Sequence, residues 1–204
     1  MSKFSLAGKT AVITGGAGGL GRAMIAAYAE AGANVVVASR NREKIEAEAA
    51  AIRDRGQSAV AIAVDVTDAE QVDNLVANTV MEFGALDIIV NNAGRWGRSH
   101  LAEETPLDEW RQVVDQNLTG VFIPCMAAGR QMIKQQSGKI INISSTAGSK
   151  GNPHQLHYSA AKAGVISLTN NLAYMWAKHN INVNCVLPGL IATEELKSYG
   201  IIPD

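Results

Sequence analysis

With 204 residues, of which 47% are hydrophobic and 18% charged, the chain is long enough to bury one substantial core and too short for two comfortable ones. Its 18 Lys and Arg balance 19 Asp and Glu with no block of like charge, which excludes an electrostatic draw to nucleic acid or to an anionic membrane and points to a small-molecule partner. The opening MSKFSLAGKT lacks a long apolar core and no later run approaches the ~18 apolar residues of a membrane helix, so a soluble, cytoplasmic protein is expected.

In chain order, short β-rich runs alternate with longer stretches of helical periodicity. The predicted strands are TAVIT at 10–14, NVVVA at 34–38, AVAIAV at 59–64, LDIIVN at 86–91, KIINIS at 139–144 and INVNCVL at 181–187. Runs that are apolar on both faces belong in a parallel sheet covered by helices on each side. Right-handed crossovers then leave a doubly wound parallel sheet in a single α/β domain over residues 1–204 as the simplest closure.

The first strand runs straight into TGGAGGLG, residues 14–21, and then into a helix predicted from Leu20 to Ala31 and stopped by Gly32. This order suits a dinucleotide: glycines let the backbone approach a pyrophosphate, and the helix start offers unpaired N–H groups and a positive dipole end. Two registers fit, Gly16, Gly18 and Gly21 as G-x-G-x-x-G, or Thr14, Gly15, Gly19 and Gly21 as T-G-x-x-x-G-x-G. A tight turn that binds nothing is the plain alternative. At the end of the second strand, Ser39 stands where a carboxylate would grip an unmodified ribose diol, and Arg40 follows it. A hydroxyl and a guanidinium suit a 2′-phosphate, so NADP(H) is predicted over a still possible NAD(H). The alternative for Arg40 is a solvated strand end.

From Leu107, the residues Trp110, Val114, Leu118, Val121, Cys125, Ala128 and Met132 trace one apolar stripe along a long helix, and Pro124 predicts a bend in it. Cys125 and Cys185 fall in regular elements and predict buried, reduced thiols. Arg95 and Trp96 are candidates for a pocket or for a plain loop. His154 and His157, two nitrogens without a third ligand, predict no metal site. Tyr158 and Lys162 stand four positions apart, which stacks them on one helix face, although such a pair also suits a helix surface with snorkelling side chains.

Together TGGAGGLG, NNAG at 91–94, NISS at 142–145, YSAAK at 158–162 and PGLIAT at 188–193 resemble the short-chain dehydrogenase/reductase family over nearly the whole chain. The resemblance implies a Rossmann fold. It also implies an oxidoreductase that interconverts a carbonyl, such as a ketone, an aldehyde or a 3-oxoacyl thioester, with an alcohol by hydride transfer. A sugar or polyol substrate and a nucleotide-binding regulator without turnover are the alternatives. By the same resemblance Gly15, Gly19, Leu20 and Gly21 form the cofactor loop, Asp65 and Val66 meet the adenine, and Asn91, Ala93 and Gly94 lie beside the adenosine ribose. Pro188, Gly189, Ile191 and Thr193 grip the nicotinamide carboxamide. Asn117, Ser145, Tyr158 and Lys162 are the implied catalytic set, with Tyr158 and Lys162 also touching cofactor.

The chemistry of that set follows from its side chains. A tyrosine hydroxyl has a pKa of about 10, and Lys162 is expected to lower it toward neutrality by Coulomb attraction so that Tyr158 works as general acid and base. Ser145, favoured over Ser144 by spacing, hydrogen-bonds the substrate oxygen, and the family resemblance implies that Asn117 holds a water between Lys162 and solvent. Family members continue beyond Asp204, where this chain stops, so the expectation is either a chain cut short or the absence of a substrate lid and a last strand. A homo-oligomer, tetramer or dimer, is implied through the helices carrying residues 107–135 and 157–178.

Overall fold

The structure is a computed structural model that describes residues 4–193. The expectation about the end of the chain at Asp204 lies outside the described residues. Six strands, β1 (Thr10–Thr14), β2 (Asn34–Ser39), β3 (Ala59–Ala63), β4 (Ile88–Asn91), β5 (Gly138–Ile143) and β6 (Ile181–Val186), form one parallel sheet. Their spatial order is β3-β2-β1-β4-β5-β6. The chain winds outward from β1 through β2 to β3, then returns to place β4 on the other side of β1. Connections therefore leave β1 and β4 in opposite directions, opening a crevice at their carboxyl ends, where ligands bind in such sheets. Both the glycine turn after β1 and the NNAG turn after β4 lie at that crevice.

Strand side chains alternate between faces, and the register keeps each face apolar. Val12 pairs with Val36 and Ile89, and these three belong to the core packed under α3 (Ala69–Phe83), α5 (Gly120–Gln135) and α7 (Leu156–Trp176). One residue on, Ile13, Val37 and Val90 face the second core, under α1 (Gly19–Glu30) and α2 (Arg42–Arg53). Full burial of a side chain such as Leu75 contributes roughly 1.5–3 kcal/mol. Two of these helices start where a side chain takes up an orphan N–H group. Asn41 accepts from the Lys44 N–H ahead of α2, and Asp68 from the Gln71 N–H ahead of α3.

Two sequence expectations change here. The long helix is not interrupted at Pro124, because α5 runs through it. The irregularity comes earlier, where α4 (Leu107–Val114) passes into a π-helical turn at Asp115–Thr119. An extra residue in that turn rotates the preceding helix by about 100° relative to the uniform stripe. Val113 is therefore fully buried in place of Val114, and Leu107 is exposed. Of the cysteines, Cys125 is buried and its thiol is pushed up to about 12 by desolvation, whereas Cys185 is only half-buried on β6, the outermost strand among the described residues. Both are free thiols.

Candidate active site

The end of β1 builds the first wall. Gly15 has φ +65, a backbone region closed to most side chains, and a Cβ there would lie 2.9 Å from the Ala93 Cα. The two turns can approach this closely only because residue 15 has no side chain. Thr14 then fastens them: its Oγ1 accepts from the Asn92 and Ala93 N–H groups at 3.0 and 3.1 Å, while Asn92 Nδ2 donates to the Thr14 and Gly15 carbonyls. Gly21 serves packing, since a Cβ there would sit 2.2 Å from the Gly15 carbonyl oxygen.

A cleft of about 390 Å³ opens along this crevice. Its lining combines Ser39, Arg40 and Asp65, then Val66 and Thr67, with Gly15, Ala17 and Gly18 of the glycine turn and with Ala93, Gly94, Arg95 and Gln116. The Thr67 N–H and hydroxyl both donate to Asp65 Oδ1, at 3.0 and 2.7 Å, and hold that carboxyl below its ordinary range. Arg40 Nη1 lies 3.9 Å from Asp65 Oδ2 and remains 66% exposed, too loose a pair to occupy the guanidinium. A glycine cradle, a helix start and a hydroxyl-guanidinium pair in a single open cleft fit a dinucleotide.

Beyond Gly94 the catalytic candidates converge. Ser145 precedes the short helix α6 (Thr146–Lys150), where its Oγ accepts from the Ala147 N–H at 3.2 Å, and its side chain lies near enough to Tyr158 to draw the phenol's pKa downward. Lys162, one turn along α7, lies with Nζ 5.6 Å above the Tyr158 ring centroid and donates to the Ile143 carbonyl at 2.9 Å. Asn117, in the π-helical turn, is fully buried. Its Nδ2 donates to the Arg95 and Val113 carbonyls, both at 2.9 Å, and its Oδ1 accepts from the Arg95 N–H at 3.2 Å. Gly94 permits the convergence: a Cβ there would lie 2.7 Å from Asn117 Oδ1 and 3.4 Å from Lys162 Nζ. Ser144 is spent elsewhere, donating to the Lys162 carbonyl at 2.8 Å inside the core, which leaves Ser145 as the serine beside Tyr158.

The electrostatics correct one expectation. Lys162 does not bring the phenol toward neutrality. Burial raises the Tyr158 pKa above its ordinary value, and the Ser145 hydrogen bond offsets this only in part. The same desolvation lowers Lys162 to about 8. The ammonium faces the ring and the Ile143 carbonyl, so desolvation outweighs its attraction for a phenolate. Tyr158 is therefore a protonated phenol at neutral pH, held ready as an acid.

Of the predicted cofactor residues, Gly15, Ser39, Arg40, Asp65, Val66, Ala93 and Gly94 line the cleft. Gly19 and Leu20 open α1, and a Cβ on Gly19 would come within 3.4 Å of the Thr193 side chain, so the 187–193 segment passes over the glycine turn. Pro188 is tied to the serine's helix through its carbonyl, which accepts from the Thr146 N–H at 3.0 Å, while Gly189 and Ile191 lie along the exposed part of that segment. The Asn91 side chain does not reach the cleft. It is buried, donating to Asn142 Oδ1 at 2.9 Å and lying 3.2 Å from Cys125 Sγ, because the alternation of β4 turns it into the core.

Sequence reasoning missed Thr14 and Asn92 as the fastening of the two turns; a threonine directly before the glycine turn was the available signal. It also missed Gln116 and Thr67 on the cleft, which no local pattern marks. Among the described residues no group of three His, Cys, Asp or Glu could hold a metal ion, and no helix is long and apolar enough to cross a membrane.

Comparison with known proteins adds independent findings. The family model described as short chain dehydrogenase matches residues 9–200. A 3-oxoacyl-[acyl-carrier-protein] reductase from Synechocystis is 41% identical over 200 residues, covering 98% of this chain and 81% of its own. The Staphylococcus aureus reductase of the same name is 43% identical over 187 residues, covering 91% and 76%. Among solved structures, an NAD+-bound xylitol dehydrogenase superposes with TM-score 0.93 at 35% identity, over 98% of this chain and 76% of that one. A gluconate 5-dehydrogenase from Burkholderia cenocepacia in complex with NADP and tartrate gives TM-score 0.92 at 35% identity, over 98% and 78%.

Proposed function

The chain belongs to the short chain dehydrogenase family and is an oxidoreductase that uses a nicotinamide cofactor, and we propose that it reduces a carbonyl compound to the alcohol with NADPH, Tyr158 giving the proton. The observation that carries this reading is the gathering of Ser145, Tyr158 and Lys162, with Lys162 Nζ 5.6 Å from the phenol ring and against Gly94 of the dinucleotide cleft. When bound, nicotinamide supplies the hydride to the carbonyl carbon. The Ser145 hydroxyl donates to the substrate oxygen and opposes the negative charge that develops there. The Tyr158 phenol, kept protonated by burial, transfers its proton to the same oxygen. Lys162 stabilises the phenolate left behind and offers its remaining donors to the ribose hydroxyls. Asn117, bonded to the Arg95 N–H and to the Arg95 and Val113 carbonyls, holds the turn after Gly94 against Lys162.

Ser39 and Arg40 support NADPH over NADH, since neither repels a 2′-phosphate and the guanidinium is largely exposed toward the cleft. The 3-oxoacyl-[acyl-carrier-protein] reductases among the relatives support a 3-oxoacyl thioester substrate, and the xylitol and gluconate dehydrogenases support a polyol as the second reading. A contact between subunits through α5 and α7 is supported by the exposure of Phe122, Tyr174 and Met175.

The test is a spectrophotometric panel of NADPH and NADH oxidation against 3-oxoacyl thioesters, keto sugars and simple ketones, with Tyr158→Phe as control. NADPH-driven turnover that Tyr158→Phe abolishes supports the reading. Nucleotide binding without turnover on any carbonyl would make the protein a nucleotide-binding regulator, and a clear preference for NADH would overturn the Ser39 and Arg40 assignment.

A further inference from the structure

A second group of side chains surrounds Tyr158 and takes no part in the mechanism above. The Trp96 ring stacks on the Tyr158 ring with centroids 5.3 Å apart and planes 14° from parallel. Trp96 is nevertheless 42% exposed. Part of the indole covers the phenol ring and the rest meets solvent.

The loop that carries Trp96 has no regular secondary structure, yet it is pinned on both sides. Asn117 brackets the Arg95 backbone through its N–H and carbonyl. Glu109, in the first turn of α4, accepts from the Arg98 N–H at 2.6 Å and from His100 Nε2 at 2.8 Å. The His100 N–H in turn donates to the His154 carbonyl at 3.0 Å. Between the pins the loop lies flat on His157, the residue before Tyr158: a Cβ on Gly97 would fall 2.4 Å from His157 Nε2. These bonds fix the indole against the phenol more firmly than its exposure alone suggests. Further apolar surface lies on the 187–193 segment, where Leu190 and Ile191 are exposed and Pro188 is bonded to Thr146, next to Ser145.

Resting on the proposed carbonyl reduction, we propose that Trp96 is a specificity-determining wall of the substrate site that favours carbonyl compounds bearing a flat or apolar group, and that Glu109 is the positioning residue that holds it there. An aryl or alkyl group gains contact with the free part of the indole. A hydroxylated group would shed water against a ring that returns few hydrogen bonds.

The test compares kcat/KM for NADPH-driven reduction of acetophenone and of hydroxyacetone. In Trp96→Ala the acetophenone value falls about tenfold further than the hydroxyacetone value, the scale of one lost aromatic contact, and Trp96→Phe restores most of the ratio. Glu109→Gln shifts the ratio in the same direction, through KM for acetophenone more than through kcat. Equal falls for both ketones in Trp96→Ala, complete loss included, or a wild-type preference for hydroxyacetone, would overturn the proposal. If the wild type binds NADPH and reduces neither ketone nor any other carbonyl, the proposed reaction fails; quenching of tryptophan fluorescence by acetophenone in the wild type but not in Trp96→Phe would still support the wall, and its absence would sink it.

Discussion

Replacing Lys162 with methionine is expected to stabilise the fold while abolishing turnover. Lys162 is almost fully buried and its pKa is lowered from 10.5 to about 8, so the folded protein binds its proton less tightly than the unfolded chain does. Between pH 8 and pH 10.5 the unfolded chain carries more protons at this residue, and stability rises with pH across that window. Below pH 8 both states are protonated, and the full cost of the buried ammonium is present. At 1.36 kcal/mol per unit the shift corresponds to roughly 3 kcal/mol. Methionine removes that cost with similar volume but leaves the Ile143 carbonyl without its donor, a loss of about 1–3 kcal/mol. The net gain at pH 7 is about 1 kcal/mol, or a rise in Tm of about 2–4 °C. Urea unfolding of both proteins from pH 7 to pH 10.5 checks this. Their stability difference should favour the variant at pH 7 and then reverse as pH passes 8, because the wild type gains stability and the variant does not. Taking the difference cancels the opposite trends from Tyr28 and Cys125, acids that burial pushes up in both proteins, while Tyr158, pushed up further once its neighbouring ammonium is gone, steepens the reversal. A difference that stays constant with pH would refute the reasoning.

Gly94→Ala drives a methyl group to 2.7 Å from Asn117 Oδ1, an oxygen that accepts from the Arg95 N–H on a side chain whose Nδ2 is tied to two backbone carbonyls, and should cost about 1–3 kcal/mol by overpacking while lowering kcat; thermal melts and initial rates measure both. Ser145→Ala is expected to reduce kcat by about 10²–10³, with stability lowered by about 1 kcal/mol through the lost Ala147 cap. Ser144→Ala should reverse that balance, costing about 1 kcal/mol through the lost bond to the Lys162 carbonyl with a much smaller fall in kcat; rates and denaturation of the two variants side by side provide the check. Leu75→Ala, in the core beneath α3, should destabilise by about 2–5 kcal/mol in urea without altering the NADPH-to-NADH preference.

The amino-acid sequence by itself determined the six parallel strands, the helices between them and the glycine turn at the first crossover, because each is encoded by neighbours a few residues apart. Helix spacing also put Tyr158 and Lys162 on one face, and the family resemblance added Ser145 to them. The tertiary structure alone decided the remainder. The π-helical turn that carries Asn117 and shifts the buried face from Val114 to Val113 is invisible in a uniform apolar stripe, since one inserted residue rotates the whole helix before it. The inward turn of Asn91 depends on its partners Asn142 and Cys125, 51 and 34 positions away. The Trp96 stack depends on Glu109 and Asn117, which grip a loop with no periodicity to read. The proton affinity of Tyr158 changed direction because a pKa follows desolvation as well as charge, and desolvation is set by every segment folded around the residue.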